Sequence, residues 1–284
     1  MFMEYPYLIA GLPVLSLKNE IKSFSFKKIR EDIYEGLSER DRKAAAWLFY
    51  PVDNRNLLNI LAGKNMSFDE TGNFTEQELA GFIESPEESP EKYMRDFLMA
   101  HLKLNSEYEP DDIAVKFTDK PEKHLWTRFY ESIRKTNYEF LIKWSDFDRD
   151  FRNIQAAFAS QKMQLSVTGS VIGGGEIVEE LHGRNISDAM KSQEKDWIVK
   201  LMQILEHTDI LIREKELDLI RWDWLDEENI YHYFDIDVIY AFLLKALWVH
   251  RWMKLDQDTG MELFRKMLKD TRGTYQLSDA FEKK

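Results

Sequence analysis

The sequence predicts a mainly α protein, built as three related helical subdomains in a pseudo-threefold body. One observation is a short pattern that occurs three times. Tyr50, Asp53, Arg55, Asn56, Leu57 and Ala62 stand in YPVDNRNLLNILA, and Phe147, Asp150, Arg152, Asn153, Ile154 and Ala159 in FDRDFRNIQAAFA. A third copy, FDIDVIYAFLLKA, holds Phe234, Asp237 and Ala246, with Ile239 and Tyr240 where the others have Arg-Asn. The spacing of roughly 90 residues assigns one copy to each unit, over 1–105, 106–200 and 201–284. A second observation is helix punctuation by caps and glycines. The third is the scarcity of breakers: no proline follows Pro121, and after Gly183 only Gly260 and Gly273 appear.

Taken in order, Ser38 reads as an N-cap with Asp41 at its capping-box position, opening a helix that runs through Ala44, Ala45 and Trp47 to Pro51. Asp53 reads as the cap of the next helix, which Gly63 ends. Thr75 and Glu78 form a capping box for TEQELAGFIE. Ser89 and Pro90 read as N-cap and first helical residue of a helix to about Asn105. Pro121 opens another, with Leu125, Phe129, Ile133, Phe140 and Trp144 at helical spacing. Further apolar stripes follow at Ile198, Leu201, Met202 and Leu205, at Leu217, Ile220, Trp224 and Leu225, and at Phe242, Leu243, Ala246, Val249 and Met253. Each reads as core. By the same logic helices are expected to begin near Asp53, Asp150 and Asp237.

The chain has 284 residues, and a chain of this length buries about 70–75% of its unfolded surface without a covalent staple. Cysteine is absent, which removes disulfides and thiolate metal sites and fits a reducing compartment. Fifty-one acids against 39 bases leave a net charge of −12. Nucleic acid and anionic membranes repel such a chain, so a partner surface is expected to be basic, or apolar with a charged rim. The start lacks a secretory pattern, and the most apolar run, Val238 to Val249, is too short to span a bilayer and contains Lys245. A soluble, cytoplasmic protein, peripheral to membranes only through other proteins, is the expectation.

Familiar chemistry is missing. Gly173, Gly174 and Gly175 invite a phosphate-loop reading, but Glu176 follows and there is no Gly-Lys-Ser/Thr run, so a turn between helices is the simpler reading. Glu179 and His182 form one E-x-x-H, where a di-iron bundle needs two. Asp235 and Asp237 read as helix caps. His101, His124, His207, His232 and His250 show no metal-ligand spacing. Asp111 and Asp112 lack the remainder of an aspartate-rich motif. No catalytic residue, metal or cofactor is assigned. Asp53, Arg55 and Asn56, with Asp150, Arg152 and Asn153, read as structural polar groups in which the arginine bridges a carboxylate to nearby carbonyls. Two loops are the candidates for partner binding: the acidic link with Glu84, Glu87, Glu88 and Glu91, and the glycine-rich segment with Gly173, Gly174 and Glu176.

The repeated aromatic-x-x-Asp-x-Arg-Asn-Leu helix resembles the internal repeat of the funnel-shaped C component of archaeal and bacterial V-type (A-type) ATPases, and of the d component, its eukaryotic relative. YPYLIAGLP, from Tyr5 to Pro13, with LSERDRKAAAWLFYPVDNRNLL and the closing WMKLDQDTGMELFRKMLKD, resembles more closely a bacterial family encoded among V-type ATPase genes, over most of the chain. The resemblance implies a non-catalytic coupling subunit between the central stalk and the membrane rotor ring, binding no nucleotide. The alternatives are a helical scaffold or adaptor unrelated to ATPases and, behind it, a metal-dependent helical-bundle enzyme.

Overall fold

The computed structural model describes residues 5–17, 24–64, 66–105, 121–183, 185–191, 193 and 195–255. Among these there are thirteen α-helices and no strand. They are α1 (Pro6–Ala10), α2 (Phe26–Gly36), α3 (Glu39–Ala46), α4 (Tyr50–Leu61), α5 (Glu76–Glu84), α6 (Lys92–Asn105), α7 (Pro121–Ile133), α8 (Glu139–Lys162), α9 (Glu176–Gly183), α10 (Ile186–Lys191), α11 (Asp196–Leu205), α12 (Ile210–Glu228) and α13 (Ile236–Lys254). The protein is mainly α, as its sequence predicts. No described helix is long and apolar enough to cross a membrane.

Local signals account for several helix starts. The Ser38 hydroxyl accepts from Asp41 N, and Thr75 and Glu78 complete a reciprocal capping box. Asp209, which no sequence signal above singles out, caps α12 by accepting from Leu211 N and Ile212 N. Other expectations need correction. Pro51 does not end a helix; it lies in the first turn of α4, where its missing N–H costs nothing. Asp53 is not the cap of α4, whose N-cap is Phe49 without a side-chain bond. Asp150 lies in the middle of α8, which begins eleven positions earlier at Glu139. Asp237 sits in the first turn of α13, and Asp235 is the cap. Ser89 does not cap α6: a 3₁₀ turn over Pro86–Glu88 buries it, and its hydroxyl has no hydrogen-bond partner among the described residues. The helix from Pro121 breaks after Ile133, so Phe140 and Trp144 belong to α8.

One continuous hydrophobic core runs from Tyr5 to Trp248 and draws on all three expected units. Helices pack on their chain neighbours (α4 on α5, α6 on α7, α8 on α9, α11 on α12). The longer-range contacts of α13 with α2 and of α4 with α7 close the body. Aromatic rings fill the junctions. Phe147 stacks on Trp224 with centroids 4.6 Å apart, and Trp144 meets both Trp224 and Trp248. Each buried ring contributes about 1.5–3 kcal/mol through lost water contact. Hydroxyls cross the same junctions: Tyr240 donates to Asp41 O and Tyr138 to Arg40 O, tying the third and second units to the first.

Candidate functional site

The first two pattern copies fold into matching helix–loop–helix pieces, α4 with α5 and α8 with α9. Each leading helix ends in a residue with positive φ, Gly63 (59°) or Gln164 (57°), and loops of nearly equal length, 62–75 and 163–175, lead to the next helix. The same asparagine holds each loop. The Asn56 amide donates to Asp69 O at 2.8 Å and accepts from Asp69 N at 3.1 Å. Asn153 donates to Ile172 O at 2.9 Å and accepts from Ile172 N at 2.7 Å. Both asparagines are buried, so each satisfies its amide by standing in for a strand of backbone.

The pattern aspartates also serve these loops, by different routes. Buried Asp53 accepts from Asn73 N (2.8 Å), Asn73 Nδ2 (2.8 Å) and Phe74 N (3.1 Å). Burial pushes its carboxyl up to about 6, against the pull of these donors. Gly72 lies so close that a Cβ there would collide with Asp53 Oδ1. In the second copy Asp150 holds Arg149 at 2.8 Å, and the buried Arg149 side chain lies beneath the glycine loop. A Cβ on Gly173 would stand 3.3 Å from Arg149 Cδ, and one on Gly175 3.4 Å from Nη2. Gly173 (φ 71°) and Gly175 (φ 121°) are therefore glycine for their backbone conformation, with Gly173 also tight against the Arg149 stem. The loop wraps an arginine of its own chain where a phosphate loop would wrap an anion.

The pattern arginines diverge. Arg152 donates from Nε to Asp148 at 2.7 Å and covers the Trp126 ring at 4.7 Å. Burial alone would lower its pKa, but Asp148 and Tyr130 reverse that and raise it. Arg55 is exposed and forms no hydrogen bond or ion pair among the described residues. The surrounding protein and the charges of Arg152 and Arg251 lower its pKa. The expected bridge from arginine to carboxylate and carbonyls is thus absent at Arg55, and at Arg152 it reaches the carboxylate and a ring.

Arg152 opens a network that no short motif reveals. Asp148 also accepts from the Tyr130 hydroxyl at 3.0 Å and faces Arg221 Nε at 4.0 Å. Arg221 donates to Asp218 at 3.2 Å and lies over Phe151. Asp218, fully buried, also accepts from Arg251 Nη2 and from Trp252 Nε1. The network joins α7, α8, α12 and α13, and Arg55 of α4 faces it.

The expected partner loops are partly committed inward. Glu84, Glu87 and Glu88 are exposed, whereas Glu91 accepts the Tyr50 hydroxyl at 2.6 Å. That bond, behind burial, raises the Tyr50 pKa. Gly173, Gly174 and Glu176 are exposed. Glu179 and His182 are exposed on α9, and Asp111 and Asp112 lie outside the described residues.

The third copy departs from the others. The aromatic of the pattern is buried at Tyr50 (6% exposed) and Phe147 (5%), but Phe234 is 52% exposed. Beside it, His232 Nδ1 meets Asp235 Oδ2 at 2.5 Å and lies 3.8 Å from Asp237 Oδ2. This is the one group among the described residues with three potential metal-ligand atoms together. Burial and the charge of Asp235 lift the Asp237 carboxyl to about 6, and the bond to Asp235 raises His232. With Asp235 Oδ1 accepting from Asp237 N, the cluster already works as a helix cap locked by a histidine.

Residues 2–273 match the family model described as "Protein of unknown function (DUF2764)". This chain belongs to the DUF2764 family. No curated protein and no solved structure matches it. For this DUF2764 chain, the duplicated loop-holding asparagine, the four-helix ionic network and the outward turn of the third copy are the features from which a function can be argued.

Proposed function

We propose that this DUF2764 chain is a non-catalytic coupling subunit of a V-type ATPase, joining the central stalk to the membrane rotor ring. The observation that carries the reading is the duplicated unit. Asn56 and Asn153 hold equivalent loops with the same two bonds, on the helices whose sequence resembles the repeat of the V-type coupling component. A body of repeated units with one continuous core is stiff, as torque transmission demands. Helix α4 of the first copy packs on α7, and the charges of Arg152 and Arg251 act on Arg55, so the first copy lies beside the ionic network built on the second. An acidic chain suits docking to basic stalk or ring surfaces, with association faster at low salt.

Deleting the gene and measuring ion-coupled ATP turnover in membranes tests the reading. Uncoupled turnover and loss of stalk–ring association are expected. Intact coupling and assembly without this protein would overturn it. Co-purification with partners other than V-type components would favour an adaptor role instead.

A further inference from the structure

The connection between α12 and α13 carries Ile230, Tyr231, Tyr233 and Phe234, all exposed, with Tyr231 at 85%. Tyr5 N donates to Phe234 O at 2.6 Å, which brings the start of α1, with its 93% exposed Tyr7, alongside. Side chains of this kind are mostly inside a helical protein, and tyrosines together on a surface are the residues that dominate protein–protein contacts. The tip is also held in shape. Asn229 Nδ2 donates to Leu225 O, Ile230 N to Glu227 O and His232 N to Asn229 O, and His232 is fixed to Asp235. A surface ordered before binding loses little conformational entropy on docking.

The charge around the tip selects its partner. Residues 223–237 include Asp223, Asp226, Glu227, Glu228, Asp235 and Asp237 and no lysine or arginine. Among the described residues, lysines from neighbouring helices reach two of these, Lys245 to Asp226 and Lys143 to Glu228. The rim is acidic, so anionic lipid is disfavoured and a basic protein surface is favoured. The third copy of the pattern turns out the aromatic that the first two bury, which marks the tip as the place where the repeat gives up core for contact.

We propose that this aromatic tip docks into an apolar pocket rimmed by lysine or arginine on the V-type assembly, an inference that rests on the coupling-subunit reading. The test uses membranes from a strain lacking this chain, to which the purified full-length protein is added back and co-sedimented. Protein-free anionic and zwitterionic vesicles run in parallel. Wild type is expected to bind the membranes with affinity that falls as salt rises. The triple variant Tyr231→Ser, Tyr233→Ser, Phe234→Ser should bind at least roughly tenfold more weakly. Glu227→Lys should weaken binding at low salt. Melting and circular dichroism verify folding, and the single variant Tyr231→Ala, at the more exposed position, serves if the triple fails to fold. If wild type and tip variants bind equally, the tip inference falls while the coupling reading stands. If wild type itself does not bind, both fall. Tip-dependent binding to protein-free vesicles would make lipid the occupant and overturn the protein pocket.

Discussion

Asn153 shows at the scale of one residue how a pattern position acts. It is buried and pairs with both polar groups of Ile172. Asn153→Ala leaves that carbonyl and N–H without partners and should cost about 1–3 kcal/mol in chemical denaturation, with Asn56→Ala in the same range. Arg55→Ala should stay within about 0.5 kcal/mol of wild type, because Arg55 is exposed and relieves crowding of like charge when removed. Equal losses at Arg55 and Asn153 would show that the two roles have been confused. Asp53 makes a prediction about pH. Its folded pKa of about 6 lies above the unfolded aspartate value, so the folded state holds the proton more tightly. The contribution is fully present below about pH 4 and is lost as pH rises through about 6, by up to about 3 kcal/mol. Unfolding free energies across that window should fall with rising pH, and Asp53→Asn should flatten the dependence.

At the scale of elements, the two loops are shaped by what lies beneath them. A Cβ on Gly72 is blocked by Asp53 and one on Gly175 is strained by the backbone φ of 121°, whereas a Cβ on Gly174 meets nothing within 4 Å. Gly72→Ala and Gly175→Ala should each destabilise by more than about 1 kcal/mol, and Gly174→Ala should be close to neutral, as read from melting temperatures. In a phosphate-binding loop, substitutions at Gly173, Gly174 and Gly175 would instead be felt in the binding of an anion. Helix starts divide along the same line. Ser38, Thr75 with Glu78, and the stripe along α13 as far as Val249 were legible because the cap bonds and the helical period are set within one helix, whereas Met253, read as core, is exposed. The start of α8 was not legible. Its N-cap, Tyr138, makes no side-chain bond, and Asp150 resembled a cap only because the helix around it was unseen.

On the scale of the whole molecule, the ionic network around Asp148 and Asp218 ties α7, α8, α12 and α13 together. Asp218→Ala takes from half-buried Arg221 its nearer carboxylate and from Arg251 and Trp252 their acceptor, and should cost about 3–5 kcal/mol, measured by equilibrium unfolding. Asp223→Ala, on the same helix but exposed, is the matched control and should change little. Only the Arg152 end of this network is legible in the sequence, since the rest depends on α7, α12 and α13 arriving from distant parts of the chain. The same holds for the Tyr5, Asp41 and Tyr240 contacts that close the body.

The helical class, the repeated pattern and the caps at Ser38, Thr75 and Asp235 are legible in the sequence alone, because a 3.6-residue period and a cap bond need only neighbouring residues. The tertiary structure alone decided where each pattern residue points. It turned Asp53 from a cap into a loop anchor, filled the glycine loop with Arg149, and left Phe234 in solvent while Tyr50 and Phe147 went into the core. Burial is settled by which distant helices arrive to cover a face. The same aromatic in the same local frame is therefore core in two copies and surface in the third.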